Sequence, residues 1–165
     1  MYGHFKIPKA VNEPVLDYAP GSKERENLKN AINELRSKQV SVGMHINGQI
    51  VHTSTKVNMK PPHDIAHKLG EFSRGDASHV HAAIDAALAA KKQWAELAWE
   101  QRAAIFLKAA DLISGPYRAK LNAATMLCQS KSVYQAEIDA ACEMIDFLRF
   151  NVQYMSEIYS EIGRA

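Results

Sequence analysis

Glu137-Ile-Asp-Ala-Ala-Cys-Glu-Met-Ile-Asp-Phe-Leu-Arg-Phe-Asn-Val-Gln-Tyr-Met-Ser-Glu-Ile-Tyr159 carries the strongest periodic pattern in the chain. At about 100° per residue, Ile138, Ala141, Ile145, Leu148, Val152, Met155 and Tyr159 fall on one stripe, spaced by threes and fours. That spacing predicts a long helix with one buried face. On roughly the opposite side, Glu143, Phe147, Phe150 and Tyr154 recur at i, i+4, i+7 and i+11. A carboxylate between aromatic rings is costly to bury without a cationic or hydrogen-bonding partner. Glu143 is therefore either a solvated rim residue or a group waiting for a ligand.

The helical pattern extends back to about Asp76. Three shorter helices are predicted: Ser78 to Trp94 with Val80, Ile84, Ala87 and Leu88 inward, Ala98 to Ile113 with Ile105, Leu107, Ala109 and Leu112 inward, and Tyr117 to Gln129. Gly115 ends the second, and Pro116 suits the first turn of the third. Tandem Ala pairs, such as Ala82-Ala83 and Ala109-Ala110, allow helix backbones to approach closely. Residues 22–75 read as a polar helix, Lys23 to Ser37, capped by Ser22 with Leu28, Ile32 and Leu35 as its apolar stripe, followed by short strands. Val40 to Val51 reads as two strands with Asn47-Gly48 as the hairpin turn; Thr53 to Val57 and Lys68 to Phe72 add further extended segments. Residues 1–21 carry Pro8, Pro14 and Pro20, which forbid a long helix and predict an extended arm reaching to another domain or subunit.

Composition narrows the function classes. The chain has 165 residues, the size of one ordinary domain, and a 47% hydrophobic share suffices for a core. A net charge of +2 with scattered Lys and Arg argues against nucleic acid. With no run of about 18 apolar residues and no leader-like pattern in Met1 to Lys9, neither a membrane span nor a targeting segment is expected, and the reading is a soluble cytoplasmic protein.

The runs Ala109-Ala-Asp-Leu-Ile-Ser-Gly-Pro-Tyr-Arg118, Ala124-Thr-Met, Gln135-Ala-Glu-Ile-Asp-Ala-Ala141 and Asp146-Phe-Leu-Arg-Phe-Asn151 closely resemble one branch of the aldehyde dehydrogenase superfamily. Val11-Asn-Glu-Pro-Val15, Gly21-Ser-x-Glu-Arg25 and the Ala-rich Ala83 to Trp94 fit the same branch, the L-glutamate γ-semialdehyde (Δ1-pyrroline-5-carboxylate) dehydrogenases. The resemblance implies an α/β enzyme with a Rossmann-like NAD domain, a catalytic domain and a β-arm for oligomerisation. In that frame residues 1–165 form an N-terminal fragment, mostly α-helical, with an extended arm and a β-hairpin; residues 76–165 are the helical start of the NAD-binding domain. The catalytic cysteine, the base and the NAD-binding residues belong downstream, so no catalytic or cofactor-binding residue is expected here. The start at Met1 resembles the stand-alone form rather than a fusion to a proline oxidase.

The resemblance also implies a small-molecule substrate, L-glutamate γ-semialdehyde, a homo-oligomeric intact enzyme and no membrane or nucleic-acid partner. Its substrate glutamate aligns with Glu143, where an ammonium would satisfy the charge and Phe147 and Phe150 would close around the methylene chain. Asp139 and Asp146 read as structural, through helix capping or pairing of Asp146 with Arg149. The competing function class is a catalytically inactive helical interaction module that pairs through the exposed aromatic face.

The remaining candidates read as structural. His63 and His67 have i, i+4 spacing, but Pro61-Pro62 argues against the helix a zinc pair needs. His79 and His81 read as surface polar residues, Cys128 and Cys142 as packing cysteines, and Trp94 with Trp99 as a pair at a helix corner. Gly70 and Gly75 have no phosphate-loop spacing.

Overall fold

The computed structural model describes residues 6–162. Ser22 caps α1 (Lys23–Ser37), its side chain accepting from the Arg25 N–H, as the sequence predicts. Leu28 is buried with Tyr18 and Ala123, and Leu16, Ile32, Leu35, Met126 and Val133 pack around them. α1 lies along α4 (Arg118–Gln129). The capping residue of α4 is Tyr117, so Pro116 falls just before the helix rather than in its first turn.

Residues 40–51 divide between two sheets. β1 (Val40–Val42) pairs in parallel with β5 (Gly70–Ser73), which pairs antiparallel with β4 (Lys56–Met59). β2 (Met44–Ile46) and β3 (Gln49–Val51) form a separate hairpin. Asn47 and Gly48 turn it, both at positive φ (50° and 72°), the pairing a two-residue hairpin loop needs. Gly70 sits at φ 151°, where any Cβ would strike the Val40 backbone across the parallel pair. The expected continuation at Thr53 to Val57 begins three residues later, at Lys56.

α2 (Ala77–Glu96) and α3 (Trp99–Ser114) follow. Asp76 caps α2 in a reciprocal box in which the His79 ring accepts from the Asp76 N–H, so His79 is a capping residue rather than mere surface decoration. α2 contradicts its predicted inward face: Val80, Ile84 and Leu88 are 59%, 49% and 61% exposed, and none of its residues is buried. Periodicity supplies a face but not a partner, and nothing in residues 6–162 packs on this one. α3 buries Ala103 and Ala110, with Ile105 half out in solvent, because the small residues let α3 approach α6 (Glu143–Ile162).

The single long helix predicted from Glu137 is interrupted. A short α5 (Val133–Ala136) runs into a π turn, Glu137–Cys142, and only then into α6. The Glu143 N–H donates to the Ile138 carbonyl, the i→i+5 bond that defines such a turn. Ala141 and Ile145 are fully buried with Ala110, and Val152 is 3% exposed, so the core of the predicted stripe is upheld; Tyr159 at its end is 44% exposed. Trp99 stacks on Tyr159 with centroids 5.8 Å apart, instead of pairing with Trp94.

In the 165-residue chain, Ile145→Ala is expected to cost about 2–5 kcal/mol, whereas Ile84→Ala on α2 should stay within about 0.5 kcal/mol. Urea unfolding of the two variants tests this; a similar loss from Ile84→Ala would mean that α2 has a covered face.

Candidate functional site

At the N-terminal end of the π turn lies a carboxylate that the sequence reading passed over. Glu137 is fully buried. One oxygen accepts from the Leu16 N–H at 2.8 Å and from the Arg118 guanidinium; the other accepts from Tyr18 Oη at 2.7 Å, Asn122 Nδ2 at 2.8 Å and Arg118 Nε at 3.3 Å. Arg118, itself 6% exposed, also pairs with Glu13 and donates to the Pro14 carbonyl at 2.7 Å. Glu13 in turn meets Arg149 at 2.7 Å. These contacts tie the N-terminal arm, α4, the π turn and α6 together. The described part of the arm is thus a strap across this chain's own helices. Its Tyr18 belongs to the core because the phenol ring packs on Leu28 while its hydroxyl reaches Glu137.

Burial alone raises the carboxyl pKa of Glu137, yet the hydrogen bonds from Arg118, Leu16, Tyr18 and Asn122 outweigh it and hold the group below the ordinary range. Tyr18 is pushed above the usual phenol value by burial and by its bond to Glu137. Cys142, buried beside the same carboxylate, is pushed up to about 11, chiefly by burial. It is therefore a protonated packing thiol at neutral pH, whereas Cys128 is exposed and does not pack as expected. One sequence signal marks Glu137: it stands four and eight residues before Ala141 and Ile145, on the stripe that becomes the core.

Six residues on, at the start of α6, Glu143 faces outward. It borders two open clefts. One, of about 520 Å³, is lined by Phe106, Asp139, Glu143, Met144, Phe147 and Asn151 together with Leu148, Val152 and Met155. The other, of about 480 Å³, is lined by Asn12, Glu143, Asp146, Phe147, Phe150, Asn151 and Tyr154. No Lys or Arg lines either cleft. Phe147 is 63% exposed, and Phe150 is half-buried with its ring 6.1 Å from that of Tyr154. The three residues singled out from the sequence thus share one surface, with Glu143 and Phe147 common to both clefts.

The flanking acids are structural, but with partners other than those expected. Asp146 accepts from Asn12 Nδ2 and the Glu13 N–H, both at 2.7 Å, and so pins the arm; Arg149 is taken by Glu13. Asp139 pairs with Lys131 at 2.6 Å. His63 bonds Ser130 through its ring at 2.8 Å, and no metal-binding cluster occurs among the described residues. Those residues include no glycine-rich cradle for a dinucleotide, so they do not fit NAD by themselves.

Residues 50–165 match the aldehyde dehydrogenase family. This chain belongs to it. Among relatives, the delta-1-pyrroline-5-carboxylate dehydrogenase of Agaricus bisporus is 51% identical over 158 residues, 95% of this chain and 29% of that protein. The mitochondrial delta-1-pyrroline-5-carboxylate dehydrogenase of Homo sapiens is 44% identical, over 94% of this chain and 28% of its own length. The crystal structure of the Mycobacterium tuberculosis Delta-pyrroline-5-carboxylate dehydrogenase bound with NAD superposes with a TM-score of 0.95 at 44% identity, covering 98% of this chain and 30% of that one. The chain therefore spans about 29% of the length of these family members. The aldehyde dehydrogenase fold expected from the motifs is the one found, and no helix is long and apolar enough to cross a membrane among the described residues.

Two outcomes follow from this geometry. Because the Glu137 pKa is lowered on folding, its stabilising contribution is complete above the unfolded carboxyl value of about 4.3 and is lost as the pH falls through the folded value. Glu137→Gln is therefore expected to be less stable at pH 7, by about 3–5 kcal/mol, and to show a shallower loss of stability below about pH 4.3; denaturation curves across pH measure both. Iodoacetamide at neutral pH should label Cys128 in the native chain and Cys142 only after unfolding, read by peptide mass.

Proposed function

We propose that this chain is the N-terminal part of an NAD-dependent dehydrogenase that oxidises L-glutamate γ-semialdehyde, the open form of Δ1-pyrroline-5-carboxylate, to L-glutamate in proline catabolism. The observation that carries the reading is the carboxylate of Glu143, set between two aromatic-walled clefts that contain no basic residue. The names of the relatives, including those 51% and 44% identical, support the same substrate.

In this reading Glu143 accepts hydrogen bonds from the substrate's α-ammonium, a charge-assisted contact stronger than a neutral one. Phe147 and Phe150 cover the methylene chain and exclude water from it. Helices α2 to α6 begin the NAD-binding part. The cofactor, held by the remainder of the enzyme, supplies the hydride acceptor, and the nucleophile lies outside residues 1–165. The intact enzyme is a homo-oligomer, as the family resemblance implies. Several relatives are named as mitochondrial, so the cytoplasmic placement read from the sequence is not carried forward.

In the full-length enzyme, Glu143→Gln should raise KM for glutamate semialdehyde roughly 10–100-fold, the equivalent of one charged hydrogen bond. KM for an aliphatic aldehyde without an amine should stay within about twofold, since that substrate makes no such bond. Steady-state kinetics on both substrates decides it; an equal change on the two would remove Glu143 from the substrate contacts.

A further inference from the structure

The 480 Å³ cleft has a wall that α6 does not supply. Of its lining residues only Asn12 comes from the arm; the others, from Glu143 to Tyr154, lie on α6. Asn12 is held there by Asp146, whose carboxylate accepts from Asn12 Nδ2 and from the Glu13 N–H, both at 2.7 Å. An ionised carboxyl group can only accept, so the amide nitrogen is the end that faces Asp146 and the Oδ1 oxygen is turned away from it. Asn12 Oδ1 meets no donor among the described residues. Asp146 stands three residues after Glu143, and side chains at that spacing are neighbours on a helix surface. The carbonyl oxygen of Asn12 is thereby brought to the same cleft wall as the Glu143 carboxylate.

An ammonium carries three N–H donors. Beside aromatic walls such as Phe147 and Phe150, a donor left without an acceptor is costly, and one carboxylate approached from one side takes one or two of the three. Asp146 already has both oxygens engaged by the arm. Asn151 and Tyr154 stand eight and eleven positions beyond Glu143, about 12 Å or more along the helix axis. We propose that Asn12 is a second contact for the substrate's α-ammonium: its Oδ1 accepts one N–H while Glu143 takes the others. Asp146 is then a positioning residue, which fixes the amide in that orientation without touching the substrate. The inference rests on the reading of Glu143 given above. It gives the N-terminal arm a part in specificity, since a neutral acceptor beside Glu143 favours a substrate that carries an amine over the same chain without one.

The test uses the full-length enzyme with Asn12→Ala, Asn12→Leu and Glu143→Gln, each assayed with glutamate semialdehyde and with glutarate semialdehyde, the same carbon skeleton without the amine. Asn12→Ala should raise KM for glutamate semialdehyde about three- to tenfold, the loss of one hydrogen bond. For glutarate semialdehyde, kcat and KM should stay within about twofold. Asn12→Leu keeps the size of the side chain and should reproduce the selective rise, which separates the oxygen from the space it fills. Inhibition by L-glutamate against glutarate gives the same comparison without turnover. Equal losses on both substrates, with a lowered Tm, would make Asn12 a fastener of the arm alone and overturn the inference, as would unchanged KM on both. If Glu143→Gln is itself unselective, the Glu143 reading fails and this inference with it; if it is selective and the Asn12 variants are not, only the present inference fails.

Discussion

Arg118 and Glu137 meet in a space sealed from solvent, and each would be prohibitively costly there alone. The pair is tolerable because almost every remaining valence is filled: Glu13 and the Pro14 carbonyl take the rest of the guanidinium, and Leu16, Tyr18 and Asn122 donate to the carboxylate. Four of those five partners come from the N-terminal arm or its backbone. An arm with too much proline for regular structure thereby becomes an ordered strap, held by charge and hydrogen bonds rather than by a hydrophobic face of its own. Arg149 and Asp146 extend the same arrangement along α6.

That constraint passes into the helix that follows. Glu137 and Ile145 are both fully buried, Glu137 opening a π turn and Ile145 lying just beyond it in α6. Such turns are uncommon inside helices. The face away from the core is left to Glu143, Phe147 and Tyr154, which border open clefts.

Much apolar surface of the chain is exposed. Val80, Ile84 and Leu88 on α2 stand in solvent, although their periodicity is that of a buried face, and so does Phe147 on the outward face of α6. The chain spans about 29% of the length of its aldehyde dehydrogenase relatives. An amphipathic stripe records that a partner surface exists for a helix, and that partner need not lie within the same 165 residues.

Features that depend on neighbours along the chain are legible in the residues alone: α1 and its Ser22 cap, the Asn47-Gly48 turn, the helical run from Asp76 onward, the stripe of Ala141, Ile145 and Val152, and the family motifs. The residues alone also place Glu143, Phe147 and Phe150 on one face, since i, i+4 and i+7 spacing is local geometry. Long-range packing settles which apolar faces are covered, pairs β1 with β5 rather than with its neighbours, and turns Asp146 to the arm instead of to Arg149. It alone revealed Glu137. That residue looked like any acid in a helix, because the groups that make it indispensable, Leu16, Tyr18, Arg118 and Asn122, are brought to it from 15 to 121 positions away. Sequence periodicity reports the direction of a side chain; what waits in that direction is set by contacts between distant segments.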